Sequence, residues 1–402
     1  MKPSRVEHST ERYWKRLVLM FFAGWVLIYA NRLVLSSSMK AIQAEWQMSK
    51  TALGLITSAF FVSYTVMQVP SGYLGDRFSR KLVLVAGYCV HALGALLSGY
   101  ARTAATFMAM RVLTGLGQST YYSNEYAIAG SEIPDRYRAS GMAVINSGMS
   151  VGIILGLVAG GLGAGRAQGS WRMPFIVLGA ITALLALTMQ LLIKKDVKKK
   201  LINNREEQDT GGSSMVSSVP CYGLALISMY GFYLLLTWLP FYLVDVRGME
   251  MLEASLVSCI VPVVSIPFSV AGGWFSDRIG SRRKILIAVL PLSALCFLMI
   301  PQEGIAWLVA GLVLYGVTGK LTVDPLLVAY VADALPKSQY ATAFGILNFA
   351  SAIGTVTAPA ITGMLADLTG SFNAGFYLAF ALQLMAWAFA MLMPERRCAR
   401  GQ

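Results

Sequence analysis

Two copies of one short pattern lie 201 residues apart in a chain of 402. The first is Gly72-x-Leu74-x-Asp76-Arg77-x-x-Arg80-Lys81, and the second is Gly273-x-Phe275-x-Asp277-Arg278-x-x-x-Arg282-Arg283-Lys284. A repeat at half the chain length restricts the fold to a duplicated unit. Further anchors keep the register at an offset of 202: Ile133-Pro134 answers Leu335-Pro336, and Ala139 through Asn146 to Gly152 answers Ala341 through Asn348 to Gly354.

The segments around these anchors define the solvent. With 56% hydrophobic and 13% charged residues and a mean hydropathy of +0.60, the chain suits a bilayer, where backbone groups must be satisfied within helices. Apolar segments of about 20 residues, enough to cross a ~30 Å hydrocarbon core, fall at roughly 17–38, 51–74, 82–101, 104–130, 139–163, 173–193, 221–244, 255–276, 285–301, 305–333, 341–366 and 374–393. The expected fold is therefore an all-α polytopic membrane protein with twelve transmembrane helices in two six-helix pseudo-symmetric bundles. Residues 1–193 form the first bundle and 221–402 the second. Between them 194–220, opening with Lys194 and rich in Lys, Asn, Glu, Gly and Ser, reads as a flexible cytoplasmic linker.

Basic loops stay on the cytoplasmic side. With the N-terminus inside, 24 of the 33 Lys and Arg fall in cytoplasmic segments, 6 in outer loops and 3 within helices, which places both termini in the cytoplasm. The net charge of +13 is then a topology signal and a band for anionic lipid headgroups, with no nucleic acid required. The first apolar segment resembles a secretion signal in its basic flank and Ser36-Ser37-Ser38 end, but eleven further spans and the polar pair Asn31-Arg32 favour a retained helix 1. Cys89, Cys221, Cys259 and Cys296 lie in expected helices and Cys398 in the tail, so all five read as packing residues rather than disulfide partners. Two histidines and no Gly-rich phosphate loop leave no enzyme, cofactor or metal constellation.

The doubled Gly-x-Leu/Phe-x-Asp-Arg loop, with Arg111-x-x-x-Gly115-x-Gly117 in helix 4, resembles the signature set of the major facilitator superfamily over nearly the whole chain. Within it the chain is most similar to the anion:cation symporter family. The matching residues are Tyr29-Ala30-Asn31-Arg32, Tyr64-x-x-x-Gln68-x-Pro70-x-Gly72, Thr237-Trp238-Leu239-Pro240-x-Tyr242-Leu243, and Gly363-x-Leu365-Ala366-Asp367-Leu368-Thr369-Gly370-Ser371-Phe372. That resemblance implies an organic-acid carrier working by alternating access, with Tyr29 and Tyr64 lining the anion site beside Arg32. It also implies that Asp76, Arg77 and Arg80, with Asp277, Arg278 and Arg282, form cytoplasmic latches, and that helix 10 lines the cavity. Monomeric residence in the inner membrane follows as an expectation.

Chemistry supports an anion site independently. Arg32 lies about six residues from the outer end of helix 1, and a guanidinium in a membrane helix faces a cavity or a partner unless it snorkels to the headgroups. Its fork matches a carboxylate bidentately. Both readings stand at this level, and Tyr29 one turn away on the same face favours the ligand role. Gln118, Tyr122, Tyr230, Tyr233 and Asn348 complete the expected lining. Its aromatics, with Tyr121 and Trp238, either stack on a sugar acid or aromatic acid or fill space between helices.

The chain departs from the family pattern where titratable acids are expected: Asn31 precedes Arg32, and Gln118 stands in helix 4. Neither amide titrates, which leaves Glu125 and Asp324 as candidate coupling groups for a proton, or else exchange against a counter-anion. Glu125 is equally open to a structural pairing with Arg77 or Arg80. Lys320 and Asp324 stand at i,i+4 spacing in helix 10 and can pair; Lys320 serves either as a second cation for a polycarboxylate or as half of a gate. Arg111 and His91 read as packing residues. Gly148, Gly152, Gly156 and Gly160 make a small-residue stripe on helix 5 that admits a close neighbour. Drug exporters of the superfamily carry Gly-Pro there, whereas this chain has Gly156-Leu157, so a multidrug or metabolite/siderophore exporter is the second reading. A membrane sensor on a transporter fold is a third, and it lacks a signalling domain in this sequence.

Overall fold

A computed structural model describes residues 5–164, 171–194, 219–279, 281–334 and 340–395. Most of the expected linker, and Cys398, lie outside the described residues. Fifteen α-helices follow in order: α1 (Arg5–Trp46), α2 (Lys50–Arg77), α3 (Arg80–Tyr100), α4 (Ala104–Ser119), α5 (Tyr121–Glu132), α6 (Asp135–Ala164), α7 (Arg172–Leu192), α8 (Val219–Asp245), α9 (Met251–Ser258), α10 (Ile260–Ile279), α11 (Arg282–Met299), α12 (Ile305–Thr318), α13 (Lys320–Ala334), α14 (Tyr340–Thr369) and α15 (Asn373–Leu392). No strand occurs among the described residues. Among the described residues, ten helical stretches are long and apolar enough to cross a membrane.

Three of the continuous helices expected from hydropathy are broken. The fourth divides into α4 and α5 at Thr120, the eighth into α9 and α10 at Cys259, and the tenth into α12 and α13 at Gly319. At Thr120 the backbone N–H reaches back to Gly117 at 3.4 Å, and the hydroxyl donates to the same carbonyl at 2.9 Å. The final turn of α4 therefore tightens to i→i+3 bonding and the i→i+4 ladder stops. At Gly319 the backbone turns extended, with ψ −167°, and Pro325 inside α13 removes a further donor. Hydropathy responds to composition and is blind to both events.

The chain divides into two compact units: Met1–Gln47 with Ala59–Leu201 and Glu250–Ser255, and Met48–Ser58 with Ile202–Met249 and Leu256–Gln402. In the first unit α1 packs on α6, and α3 on α4 and α7. Its core gathers Phe21, Trp25, Ile28, Tyr88, Tyr121 and Met189. In the second, α8 packs on α14 and α11 on α15, around a core that includes Leu224, Leu286, Leu327, Tyr330 and Ala386.

The glycine stripe explains the α1–α6 pair. A Cβ added at Gly148, Gly152, Gly156 or Gly160 would meet the carbonyl oxygen of Phe22, Val26, Ala30 or Val34 at 2.5, 2.4, 2.5 and 2.7 Å. Each glycine thus seats a successive turn of α1 directly against the α6 backbone. The second unit repeats the device, since a Cβ at Gly354 of α14 would meet the Leu226 carbonyl of α8 at 2.1 Å. Cys221, Cys259 and Cys296 are buried and outside any disulfide, as expected for packing, but Cys89 is exposed on α3.

Candidate functional site

α6 covers the Phe22–Val34 face of α1, with Tyr29 at the edge of that seam, and Arg32 is turned toward α2 and α4. Arg32 is 8% exposed. Its Nε donates to Gln118 Oε1 at 2.8 Å. Its guanidinium lies over the rings of Tyr64 at 4.6 Å, Tyr29 at 4.9 Å, Phe60 at 5.7 Å and Phe61 at 5.8 Å. These ring faces and the amide are neutral, and they hold the charge among the helices of the first unit in a fixed orientation.

Gln118 is fixed in turn. With Oε1 accepting from Arg32, its Nε2 is the donor end, directed to the Ile28 carbonyl at 3.4 Å and to His91 Nε2 at 3.0 Å. His91 Nε2 is therefore an acceptor and the ring proton sits on Nδ1. His91 is fully buried, as expected of a helix-packing residue, and its contact with Gln118 also joins it to the chain of contacts that ends on Arg32. Nothing in the sequence joined a helix 3 histidine to helix 4.

Arg111 does organise packing. It is 1% exposed, donates to the Asn31 carbonyl at 3.1 Å, and lies over Phe60 and Phe175. Asn31 points away from Arg32, donating to the Leu27 carbonyl at 2.9 Å and to Thr182 Oγ1 at 3.2 Å. Trp25, which the sequence reading passed over, stands one turn before Tyr29 at a ring distance of 6.0 Å and meets Tyr121 and Tyr122 edge-on. The positions 25, 29 and 32 share one face of α1, a spacing that could have found it. Tyr122 is partly exposed and meets the site through that indole and the neighbouring Tyr126 ring.

In the second unit Lys320 and Asp324 pair at 2.6 Å, with the Lys320 ammonium over the Phe232 ring at 5.3 Å. Tyr233 packs edge-on against Phe232. Tyr230 instead ties α8 to α14 through Thr362 at 3.4 Å, and Asn348 lies exposed on α14. By the 202-residue repeat Lys320 occupies the position of Gln118; Lys320 directly follows the helix break at Gly319, and Gln118 stands two residues before the break at Thr120. Discontinuous helices at corresponding positions of two repeats are a structural pointer to a transport site.

Of the loop residues, Asp76 accepts from Arg80 at 2.8 and 3.2 Å, and Arg77 donates to Tyr73 at 3.4 Å. Both arginines are thus engaged within their own loop rather than by Glu125. The Asp277 side chain lies outside the described residues; Arg278 is exposed and Arg282 opens α11 behind the Ser281 cap.

The family model "Major Facilitator Superfamily" matches residues 20–319 and 253–401. The chain belongs to the major facilitator superfamily, and it is an all-α polytopic membrane protein. It is 26% identical over 397 residues to the hexuronate transporter of Bacillus subtilis (strain 168), covering 92% of each chain. It is 28% identical over 396 residues to the probable galactarate/D-glucarate transporter GudP of the same strain, covering 89% of this chain and 86% of that one. Among solved structures, the inward-open xylose transporter XylE from E. coli superimposes with a TM-score of 0.77 at 14% identity, over 96% of this chain and 97% of that one, a likeness of fold.

Proposed function

We propose that this protein is a twelve-span secondary active transporter of small organic anions, sugar acids foremost, that works by alternating access in the cell inner membrane with both termini cytoplasmic. The observation that carries the reading is the Arg32 guanidinium, held between the rings of Tyr29 and Tyr64 and oriented by Gln118 at 2.8 Å. A planar fork fixed in this way recognises a carboxylate by two parallel charge-assisted bonds, and Tyr29 and Tyr64 offer ring faces to a sugar backbone. The relatives named for hexuronate and for galactarate/D-glucarate carry ligands of that chemistry.

Asp76 with Arg80, Arg77, and the repeated Asp277, Arg278 and Arg282 serve as the cytoplasmic latches of the cycle. Lys320 supplies the second unit with a cation whose charge Asp324 balances while no substrate is bound. The protein acts as a monomer. Reconstituted protein tested with radiolabelled D-glucuronate, D-glucarate, citrate and glucose should take up one or both sugar acids and not glucose. Equal uptake of glucose, or none of any acid, would remove the reading. Drug export has less support, because the α6 position that carries Pro in such exporters is Leu157, beside the glycine that seats Ala30 of α1.

A further inference from the structure

Glu125 lies on α5, seven residues beyond Gln118 and across the break at Thr120. It is 0% exposed. Both carboxyl oxygens are buried and accept no hydrogen bond in protein geometry among the described residues. The surrounding donors are committed elsewhere. Tyr121 donates to the Phe21 carbonyl at 2.9 Å, Tyr88 to the Gly24 carbonyl at 2.9 Å, and Tyr126 to Asn146 Oδ1 at 2.8 Å. Trp25 approaches from α1, but its indole N–H also finds no acceptor at bonding distance.

Among the described residues the titratable groups that interact with the carboxyl are the phenols Tyr121, Tyr122 and Tyr126 of α5, with Tyr29 of α1, Tyr64 of α2 and Tyr88 of α3 behind them and the Arg32 guanidinium beyond, over the Tyr29 and Tyr64 rings. α6 presents the neutral Asn146. Arg77 and Arg80, the cations of the nearby loop, are held by Tyr73 and Asp76. An ionised carboxylate sealed among neutral groups, with the Trp25 indole N–H approaching it but not at bonding geometry, is costly, and a neutral acid is far less so. A residue serving packing alone would have no use for that asymmetry.

We infer that Glu125 is the proton-binding group of the transport cycle. When the site opens to water on one side, the carboxylate takes up one proton and becomes a carboxylic acid; it crosses in the sealed state seen here and releases that proton on the other side. Trp25, packed against Tyr29, carries the link to the Arg32 site, and the break at Thr120 lets α5 move apart from α4. Asp324 is poorly suited to the same role, since Lys320 neutralises it at 2.6 Å and more than a third of its side chain is exposed. This assignment rests on the organic-anion reading above.

Two measurements separate the claims. In proteoliposomes with the membrane potential clamped, an inward pH gradient of one unit should drive wild-type accumulation of D-glucarate up to about tenfold, the limit for one proton per anion. Glu125→Gln should abolish that accumulation while D-glucarate exchange without a gradient stays within about twofold of wild type. Glu125→Asp should restore coupling in part. Coupling that survives in Glu125→Gln, or exchange lost along with it, would overturn the assignment. The second measurement needs no transport: the infrared spectrum of purified wild type at neutral pH should contain a carboxylic-acid C=O band that is missing in Glu125→Gln. Absence of that band overturns the proton site, whereas its presence in a protein that neither moves nor exchanges D-glucarate overturns the anion reading alone.

Discussion

Arg32 and Gln118, 86 positions apart, meet at 2.8 Å through a guanidinium N–H and an amide oxygen. Because the acceptor is an amide, the bond orients the cation without neutralising it. The amide nitrogen is left to engage His91.

Gln118→Glu should therefore weaken organic-anion binding, since the new carboxylate would occupy the guanidinium that the substrate needs. A charge-assisted bond is worth about 1.5–3 kcal/mol, so affinity should fall roughly tenfold or more. The loss should shrink as pH is lowered and the introduced acid is protonated. Titration calorimetry at two pH values checks this, and tighter binding at the higher pH would count against it.

The His91 contact yields a second expectation. His91→Leu removes the acceptor of the Gln118 amide and leaves a buried N–H unpaired, a penalty of about 1–3 kcal/mol. Freed from that anchor, the amide can turn its nitrogen toward Arg32. Anion affinity should drop about three- to tenfold while the protein remains folded. Nitrogen NMR of wild type should report the Nδ1–H tautomer of His91; the Nε2–H tautomer would reverse the hydrogen-bond assignment.

Much of this arrangement was legible in the sequence, and for physical reasons. Tyr29, Arg32, Tyr64 and Gln118 were singled out by charge in an apolar helix and by family resemblance, and the structure brings the four together. The glycine stripe of α6 foretold a close helix contact because spacing by four residues maps onto one helix face. The partner helix was hidden, since composition does not say which of eleven neighbours supplies carbonyls at Phe22, Val26, Ala30 and Val34. His91 was hidden for the same reason: its role depends on a contact 27 residues away across two helices. The breaks at Thr120 and Gly319 were invisible because they arise from backbone dihedrals in segments whose hydropathy is unchanged.

The α1–α6 seam can be tested directly. A Cβ at Gly152 would lie 2.4 Å from the Val26 carbonyl and 2.8 Å from Tyr29 Cβ, so Gly152→Ala must push apart two backbones. A cost of about 1–3 kcal/mol is expected, with lower thermal stability and, through Tyr29, weaker anion binding. Gly130→Ala is the control, because nothing lies within 4 Å of its added Cβ. Equal melting temperatures for the two variants would contradict the seam.

The central claim is that Arg32 binds the carboxylate of the transported acid, and calorimetric titration of the purified protein with D-glucarate, before and after Arg32→Lys, tests it most directly. Lysine keeps the charge but loses the planar fork and its stacking between Tyr29 and Tyr64. The expected result is measurable binding by wild type and at least about a tenfold loss in the variant, consistent with one charged hydrogen bond forfeited. Wild-type affinity retained by Arg32→Lys would contradict the account.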